Sequence, residues 1–347
     1  MKFGGLAFDL GPSQVLEKIG AVLSTWGHNF FLPPPQKDIS AEDAEKLSVC
    51  DMIVTGLSAL NPMRELRVLE ILKAPVIIIE DVPRASMVPG AKAFASRVRA
   101  VIAAHGDLVG EIEAFGYKNV IYVGPPPHWG DLYKKIISLS KADARKKFTK
   151  VLAGSVEKLG SEQIVFISGI KDLVINNTMI QPTVRFGKDG VLGFKGHPAE
   201  ITEYKTSGRL DAYKGGIKER EAALSGVWTL EGDNPPLYQW IAAADQTIFT
   251  GAPNEGIVAA YARLACHYYF DSNVEAYLKK AGRYPWFPVE RGGNHLINGP
   301  EEIPAAIRFL ATKEGRTELR SKQEKAFPLP VTWNTAPIFA GAIEALI

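Results

Sequence analysis

Cysteine is scarce. The 347 residues hold two, Cys50 and Cys266, far apart and outside any CxxC pair. That excludes a disulfide framework and a cysteine zinc site, and both read as ordinary buried thiols of a reducing compartment. No apolar run approaches the roughly 20 residues that a membrane span needs. The opening Met1-Lys2-Phe3-Gly4-Gly5 is too short an apolar stretch for a signal peptide before Asp9 interrupts it. These absences lead to the expectation of a cytoplasmic protein. An excess of one charge sign is also missing: the formal net charge is +2, too small to call for nucleic acid by itself. Familiar catalytic signatures are lacking too. There is no GxxxxGK[ST] phosphate loop, no HExxH, no GxSxG elbow and no GxGxxG after the first strand. A DxD-type acidic pair is absent as well, which argues against a required metal ion.

What is present is globular: 46% hydrophobic and 22% charged residues. At about 150 residues per domain, the length implies two domains. The first half alternates strand-like and helix-like segments. Lys2 to Asp9 leans to strand, and Gly11-Pro12-Ser13 breaks it. Val15, Leu16, Ile19, Val22 and Leu23 then recur at helical spacing. Strands follow at Asn29–Leu32, Asp51–Thr55, Pro75–Ile79, Val98–Ile102 and Val120–Val123. Ser40 and Asp43 have capping-box spacing before a short helix. Continuous apolar strands separated by helices predict a parallel sheet covered on both faces. After Pro125-Pro126-Pro127 and a lysine-rich helix over about 132–159, the pattern restarts. Strands are expected at Gln163–Ser168, Val191–Lys195, Gly226–Leu230, Gln246–Thr250 and His267–Phe270. Helices are expected over Leu237–Ala244, Glu255–Leu264 and Ile303–Leu310, with a loop over Asn294–Glu302. The division is a Rossmann-like N-terminal domain over 1–135 and a second over 136–335. A helix over 336–347 is expected to pack back on the first.

In open parallel sheets, ligands bind beyond the carboxyl ends of the strands. The loops there are the places to search. Asp9-Leu10-Gly11-Pro12-Ser13 offers a carboxylate, suited to a general base, and a polar helix start at Gly11 and Ser13. Its bland alternative is a strand-end carboxylate and a helix cap. Ser168-Gly169-Ile170-Lys171 places a lysine where it would meet a phosphate. Lys195-Gly196-His197-Pro198 pairs a glycine, for close backbone approach, with a histidine donor. Thr250-Gly251-Ala252-Pro253-Asn254-Glu255-Gly256 leads into a helix of small residues, whose N-terminal N–H groups suit a diphosphate. Glu255 there would bind a hydroxyl, and Asn254 would otherwise be a simple cap. Trp286 and Phe287, beside Gly292-Gly293, would close over a base or pack in the core.

Taken together, these segments resemble the GT-B class of glycosyltransferases. Phe3-Gly4-Gly5 through Trp26-Gly27-His28-Asn29-Phe30 looks like the family's opening strand, glycine loop, helix and "GH-x-V" start of the second strand. Ala243-Ala244-Asp245-Gln246-Thr247-Ile248-Phe249-Thr250-Gly251-Ala252 looks like the "ADLVITGGG" strand before the donor diphosphate helix. Lys195-Gly196-His197-Pro198 is similar to the "K-x-HP" of nucleotide-sugar and CDP-polyol transferases. The diphosphate loop has fewer glycine and hydroxyl residues than the family's, and the retaining-type "E-x7-E" is not matched. The resemblance implies two Rossmann-like parallel-sheet domains facing across a cleft. It implies a metal-independent hexosyl transfer from a nucleotide-diphosphate sugar, with a UDP-sugar as the expected donor and no cofactor. Donor-binding residues would be Gly169, Lys171, Gly196, His197, Gly251, Ala252, Asn254 and Glu255. Asp9 would be the acceptor-activating base of an inverting enzyme, with His197 as its catalytic partner on the donor side. Gly11, Ser13 and Arg84 would face the acceptor.

Two other readings compete. A hydrolysing sugar-nucleotide 2-epimerase shares the architecture, but would open with a GTRPE-like segment where this chain has Phe8-Asp9-Leu10-Gly11-Pro12. A two-lobed, non-catalytic small-ligand-binding protein is the reading from another class. The acceptor is open: a small molecule, a glycan or DNA. Arg64, Arg67, Lys73, Arg84, Lys92, Arg97 and Arg99 would suit a polyanion such as hydroxymethylated DNA if they face the site. The alternative is a mixed, solvated surface carrying Glu65, Glu70, Glu80 and Asp81 as well.

Overall fold

The computed structural model describes residues 1–34, 38–58, 62–88, 90–148, 163–170, 172, 174–176, 178–180, 190–195 and 236–347. The chain divides into two units. The first holds Met1–Asp131, Leu278–Tyr284 and Pro330–Ile347, and the second holds Leu132–Tyr277 and Pro285–Leu329.

The first unit is a six-stranded sheet: β1 (Lys2–Leu6), β2 (Asn29–Phe31), β3 (Met52–Thr55), β4 (Val76–Ile79), β5 (Val98–Ile102) and β6 (Val120–Ile121). The order is β2-β1-β3-β4-β5-β6, and every pairing is parallel. β3 and β4 are buried along their whole length, so their sequences, MIVT and VIII, show no alternation. Helices α1 (Leu10–Thr25), α2 (Ala41–Ser48), α3 (Met63–Ile71), α4 (Val109–Phe115) and α5 (Pro127–Ile137, running on into the second unit) connect or follow the strands. The helical spacing after the first strand is real: Val15, Leu16, Ile19 and Leu23 of α1 pack with Phe3, Val54 and Ile77 of the sheet. The same cluster takes in Phe339, Ala340 and Ile343 of the C-terminal helix Ala336–Glu344.

Two local details differ from the expected pattern. Helix α1 begins at Leu10, so Gly11-Pro12 lies inside its first turn rather than before it. Proline is tolerated there because first-turn N–H groups have no partner within the helix. Ser40 caps α2 by accepting from Asp43 N at 3.1 Å, but Asp43 is too short to reach back. Its carboxylate instead accepts the Ser40 hydroxyl at 2.7 Å.

The second unit holds β7 (Gln163–Ser168), β8 (Gly190–Lys195), β9 (Gln246–Phe249), β10 (Cys266–Phe270) and β11 (His295–Asn298), in the order β11-β10-β9-β7-β8. All pairings are again parallel. After α6 (Lys141–Phe148), its helices among the described residues include α7 (Leu237–Ala243), α8 (Asn254–Tyr261), α9 (Ser272–Lys280, whose end lies in the first unit), α10 (Phe287–Glu290), α11 (Ile303–Ala311) and α12 (Lys313–Ala326), and α13 (Ala336–Glu344) is the C-terminal helix named above. In its described part, to 148, the lysine-rich stretch is two helices, α5 and α6, parted at 138–140. β11 stands where a loop was expected. It is an edge strand paired on one side only, with Ile297 its one fully buried residue, so its pattern is faint. Cys266 is buried, whereas Cys50 is only partly so. The expected strand at 226–230 lies outside the described residues.

Both sheets reverse direction after their first strand. In the first unit, the reversal falls between β1 and β3. In the second, it falls between β7 and β9. Connections leave to opposite sides there, which opens a crevice at the carboxyl ends of those strands.

Candidate functional site

In the second unit, the crevice is walled by the loops after β7 and β9. After β7, the backbone of Ile170 is held at both groups by one side chain. Asn176 Oδ1 accepts from Ile170 N at 2.9 Å, and Asn176 Nδ2 donates to Ile170 O at 2.7 Å. After β9, Gly251 adopts φ +73°, the left-handed region that suits glycine. A Cβ there would lie 2.9 Å from Ile170 Cγ2, so the two loops are in contact. Three further bonds fix the second loop. Tyr268 O–H donates to Gly251 O, Thr250 Oγ1 donates to Tyr269 O at 3.1 Å, and Asn294 Nδ2 donates to Gly256 O at 3.3 Å. Tyr268 and Asn294 sit on or before neighbouring strands. This function of theirs had no local signature, since it depends on strand pairing.

Helix α8 then starts at Asn254, with Pro253 as its N-cap and no side-chain capping bond. The simple-cap alternative for Asn254 is therefore not what the geometry provides: Asn254 is the first helical residue. Proline has no side-chain acceptor, so the N-cap residue itself does not consume a first-turn N–H group. The dipole end of the helix is left to favour an anion. Gly256 through Tyr261 are all buried, which holds α8 against the sheet. Gly169, Gly251, Ala252, Asn254 and Glu255 thus gather around one strand-end crevice. Lys171, Gly196 and His197 lie outside the described residues. Trp286 and Phe287 are buried core residues, with Trp286 stacked on Tyr268 at 6.4 Å between ring centroids.

In the first unit, the crevice gathers carboxyl groups. Asp9 is the N-cap of α1, in extended conformation and half-buried, yet its side chain makes no capping bond. Glu65, on α3, reaches across to the same loop. Its Oε1 accepts from Phe8 N at 3.3 Å and from the Ser58 hydroxyl in the loop after β3. The close approach of the two loops needs Gly56, where a Cβ would lie 2.5 Å from Pro12 Cβ. Burial pushes the Glu65 carboxyl up to about 7, against the Ser58 bond; nearby Asp9 adds to the rise. Asp81, at the end of β4, is also pushed up to about 7 by burial, opposed by the Arg283 guanidinium and reinforced by Asp9. Carboxyl groups shifted toward neutrality at a strand-end crevice mark a functional candidate. By sequence, Glu65 and Asp81 belong to the mixed, solvated surface that is the alternative to a polyanion-binding face. Only their burial separates them from it.

The acceptor-side candidates are placed as follows. Gly11 lies in the first turn of α1. Ser13 is 1% exposed, and its hydroxyl has no hydrogen-bond partner among the described residues. Arg84 is buried in left-handed conformation (φ 64°) and ion-paired with Glu111 at 2.9 Å, and its carbonyl accepts from Arg283 at 2.9 Å. Of the other basic residues of 64–99, Arg64 lies 4.5 Å over the Phe8 ring. Arg97 donates to the carbonyls of Leu69, Leu72 and Ala74. Arg99 donates to Ile347 O at 3.3 Å. Arg67, Lys73 and Lys92 remain exposed. Among the described residues, no group of three or more His, Cys, Asp or Glu side chains is placed to hold a metal ion. No described helix is long and apolar enough to cross a membrane.

No protein-family model matches the chain, and no curated protein sequence matches it. Solved structures do. MurG of Acinetobacter baumannii is 11% identical over 99% of each chain, with a TM-score of 0.55. HepE of Anabaena, in complex with UDP, is 12% identical over 100% of this chain and 99% of its own, with a TM-score of 0.57. The fold is GT-B. The UDP-GlcNAc 2-epimerase of Methanocaldococcus jannaschii, in complex with UDP-GlcNAc and UDP, aligns over 99% of this chain and 100% of its own, at 12% identity and a TM-score of 0.62. The GT-B architecture implied by the sequence resemblance is therefore present. At these identities the likeness is one of fold.

Proposed function

We propose that the chain is a nucleotide-sugar-dependent glycosyltransferase. The observation that carries this reading is the start of α8: an uncapped helix N-terminus behind the left-handed Gly251, at the sheet's reversal point. The diphosphate of the donor sits on the first-turn N–H groups, and Glu255 accepts from a ribose or sugar hydroxyl. Lys171 and His197 supply charge and a donor to the phosphates. The UDP in the HepE and epimerase structures supports a UDP-sugar as the donor.

In the transfer step, the acceptor oxygen forms its bond to the anomeric carbon as the bond to the diphosphate breaks. Asp9 takes the acceptor's proton, and the helix N-terminus stabilises the charge developing on the leaving diphosphate. Asp9 suits the role because its carboxylate is not spent on capping α1. The reaction draws on these side chains and needs no metal ion.

A thermal-shift screen against UDP, GDP, CDP, TDP and their sugars tests the donor assignment, since a ligand bound only by the folded chain raises its melting temperature. His197→Ala and Glu255→Ala are expected to weaken that shift. The epimerase alternative shares the fold. It predicts release of UDP and a 2-epimerised free sugar with no acceptor present, whereas the transferase releases UDP in proportion to acceptor. Tight sugar-nucleotide binding without turnover would return the non-catalytic reading.

A further inference from the structure

The second unit has a second concave site, at the opposite end of its strands from Gly251 and the start of α8. A cavity of about 270 Å³ opens where β9 and β10 begin. Lys141, Asp245, Arg263, Arg316, Arg320 and Gln323 are among the residues that line it. A shallower depression continues from it along α12, past Lys313, Arg316 and Arg320. These three follow at positions i, i+3 and i+7, which puts them on one face of the helix at its N-terminal half.

The charge balance of the walls is one-sided. Among the described residues, the one carboxylate lining the cavity, Asp245, is already committed. It accepts from Lys141 Nζ at 2.7 Å, from Arg145 at 2.8 Å and from Ile164 N at 2.7 Å. Arg263 is held in place by the protein. It sits in left-handed conformation (φ 57°), donating to the carbonyls of Ala260, Gln323 and Phe327 at 2.9, 3.1 and 2.8 Å. A non-glycine residue kept in that region is a strained position that the surroundings enforce. Arg316 uses Nε on Leu310 O at 2.8 Å, and Arg320 uses Nε on Glu324 at 3.0 Å. Among the described residues, the terminal nitrogens of Arg316 and Arg320 have no other partner. Burial lowers the Arg263 guanidinium from its ordinary value, with nearby Arg320 adding to the drop and Glu324 opposing it. The guanidinium groups of Arg316 and Arg320, each tied at Nε with its terminal nitrogens facing a cavity that has no uncommitted carboxylate among the described residues, suit phosphate oxygens, which accept such forks in pairs. The cavity lies just below the usual range of about 300–1,000 Å³ for drug-sized ligands, which favours a compact anion.

We propose that this basic cavity is a second binding site, distinct from the strand-end crevice, and that it takes a phosphate or diphosphate group through Arg316, Arg320 and Lys141. Its occupant is either a soluble phosphorylated anion or the headgroup of an acidic lipid, which share this chemistry. The site does not depend on the transferase reading, because none of these residues belongs to the donor or acceptor candidates.

The test is isothermal titration calorimetry of the full chain with inorganic pyrophosphate. The wild type is expected to bind one equivalent at this cavity, apart from any held at α8, and Arg316→Gln/Arg320→Gln to weaken that component at least about tenfold. Arg320→Gln alone, an exposed position whose loss does not threaten folding, is expected to lose at least about threefold. Pyrophosphate held instead at α8 would bind wild type and both variants alike, and that result overturns the proposal. So does the absence of wild-type binding at ~10 mM pyrophosphate. Co-sedimentation with phosphatidic acid vesicles, against phosphatidylcholine vesicles, separates the two sources. Retention that pyrophosphate competes away and that the double variant lacks assigns a lipid headgroup. Pyrophosphate binding without retention assigns a soluble anion.

Discussion

Glu65 Oε1 accepts the backbone N–H of Phe8 at 3.3 Å, so helix α3 holds the loop that carries Asp9. The same oxygen takes the Ser58 hydroxyl, while Oε2 has no partner among the described residues. Burial raises this carboxyl to about 7. Its neutral form is therefore the one the fold favours. The associated stability is fully present below the ordinary value of 4.5 and is lost as pH rises through about 7. Glu65→Gln keeps the acceptor and removes the ionisation. Urea unfolding should show the variant gaining about 3 kcal/mol relative to wild type between pH 4 and pH 8. An equal difference at both pH values would show that Glu65 does not titrate in this range.

Asp9 is half-buried beside Glu65 and Asp81, and its carboxylate does not cap α1. If it takes the acceptor's proton, Asp9→Asn should lower kcat by about 10²-fold or more. Donor affinity, measured by calorimetry, should stay within about twofold, because an interaction made only in the transition state leaves ground-state binding intact. Full turnover in Asp9→Asn would remove Asp9 from the chemistry.

What could be read from the sequence followed from how local each feature is. The buried parallel strands were legible because MIVT and VIII are apolar throughout. The donor-side loop was legible because Gly251 and Pro253 punctuate it within a few residues of an apolar strand. β11 was not, because an edge strand with one buried residue carries little period-2 signal. Glu65 and Asp81 were not, because a carboxylate in a mixed-charge stretch reads as solvated until the fold buries it. Arg84 and Arg97 looked like free cations for the converse reason. Their partners, Glu111 and the carbonyls of Leu69 and Leu72, are supplied by other elements.

Gly251 has both a left-handed backbone and a neighbour in the way: a Cβ would meet Ile170 Cγ2 at 2.9 Å. Gly251→Ala should cost about 1–2 kcal/mol from the backbone conformation alone. It should also push apart the loops after β7 and β9 and weaken sugar-nucleotide binding. Tyr268→Phe deletes the hydroxyl that donates to Gly251 O and disturbs the same loop from its other side. Because both changes act on one carbonyl-and-turn unit, the double variant's loss of donor affinity should fall short of the sum of the two single losses. Additive losses would mean that Tyr268 does not position this loop.

His267 lies buried on β10, with Nε2 2.7 Å from Gln246 Oε1. The amide oxygen accepts, so Nε2 carries the proton. Burial, reinforced by His295, depresses the imidazole to about 3. For a group depressed in the folded state, stability is fully present above the ordinary value of 6.5 and is lost as pH falls toward about 3. Between pH 6 and pH 4, this one residue should take about 1.4 kcal/mol of stability per pH unit. His267→Phe removes the titration and leaves Gln246 its bond to Ile307 O at 2.9 Å. The variant's stability at pH 7 depends on how the ring repacks, but its slope against pH does not. Denaturant unfolding from pH 7 to pH 4 should therefore show a shallower acid loss in His267→Phe than in wild type, and parallel slopes would show that His267 is not held neutral by the fold.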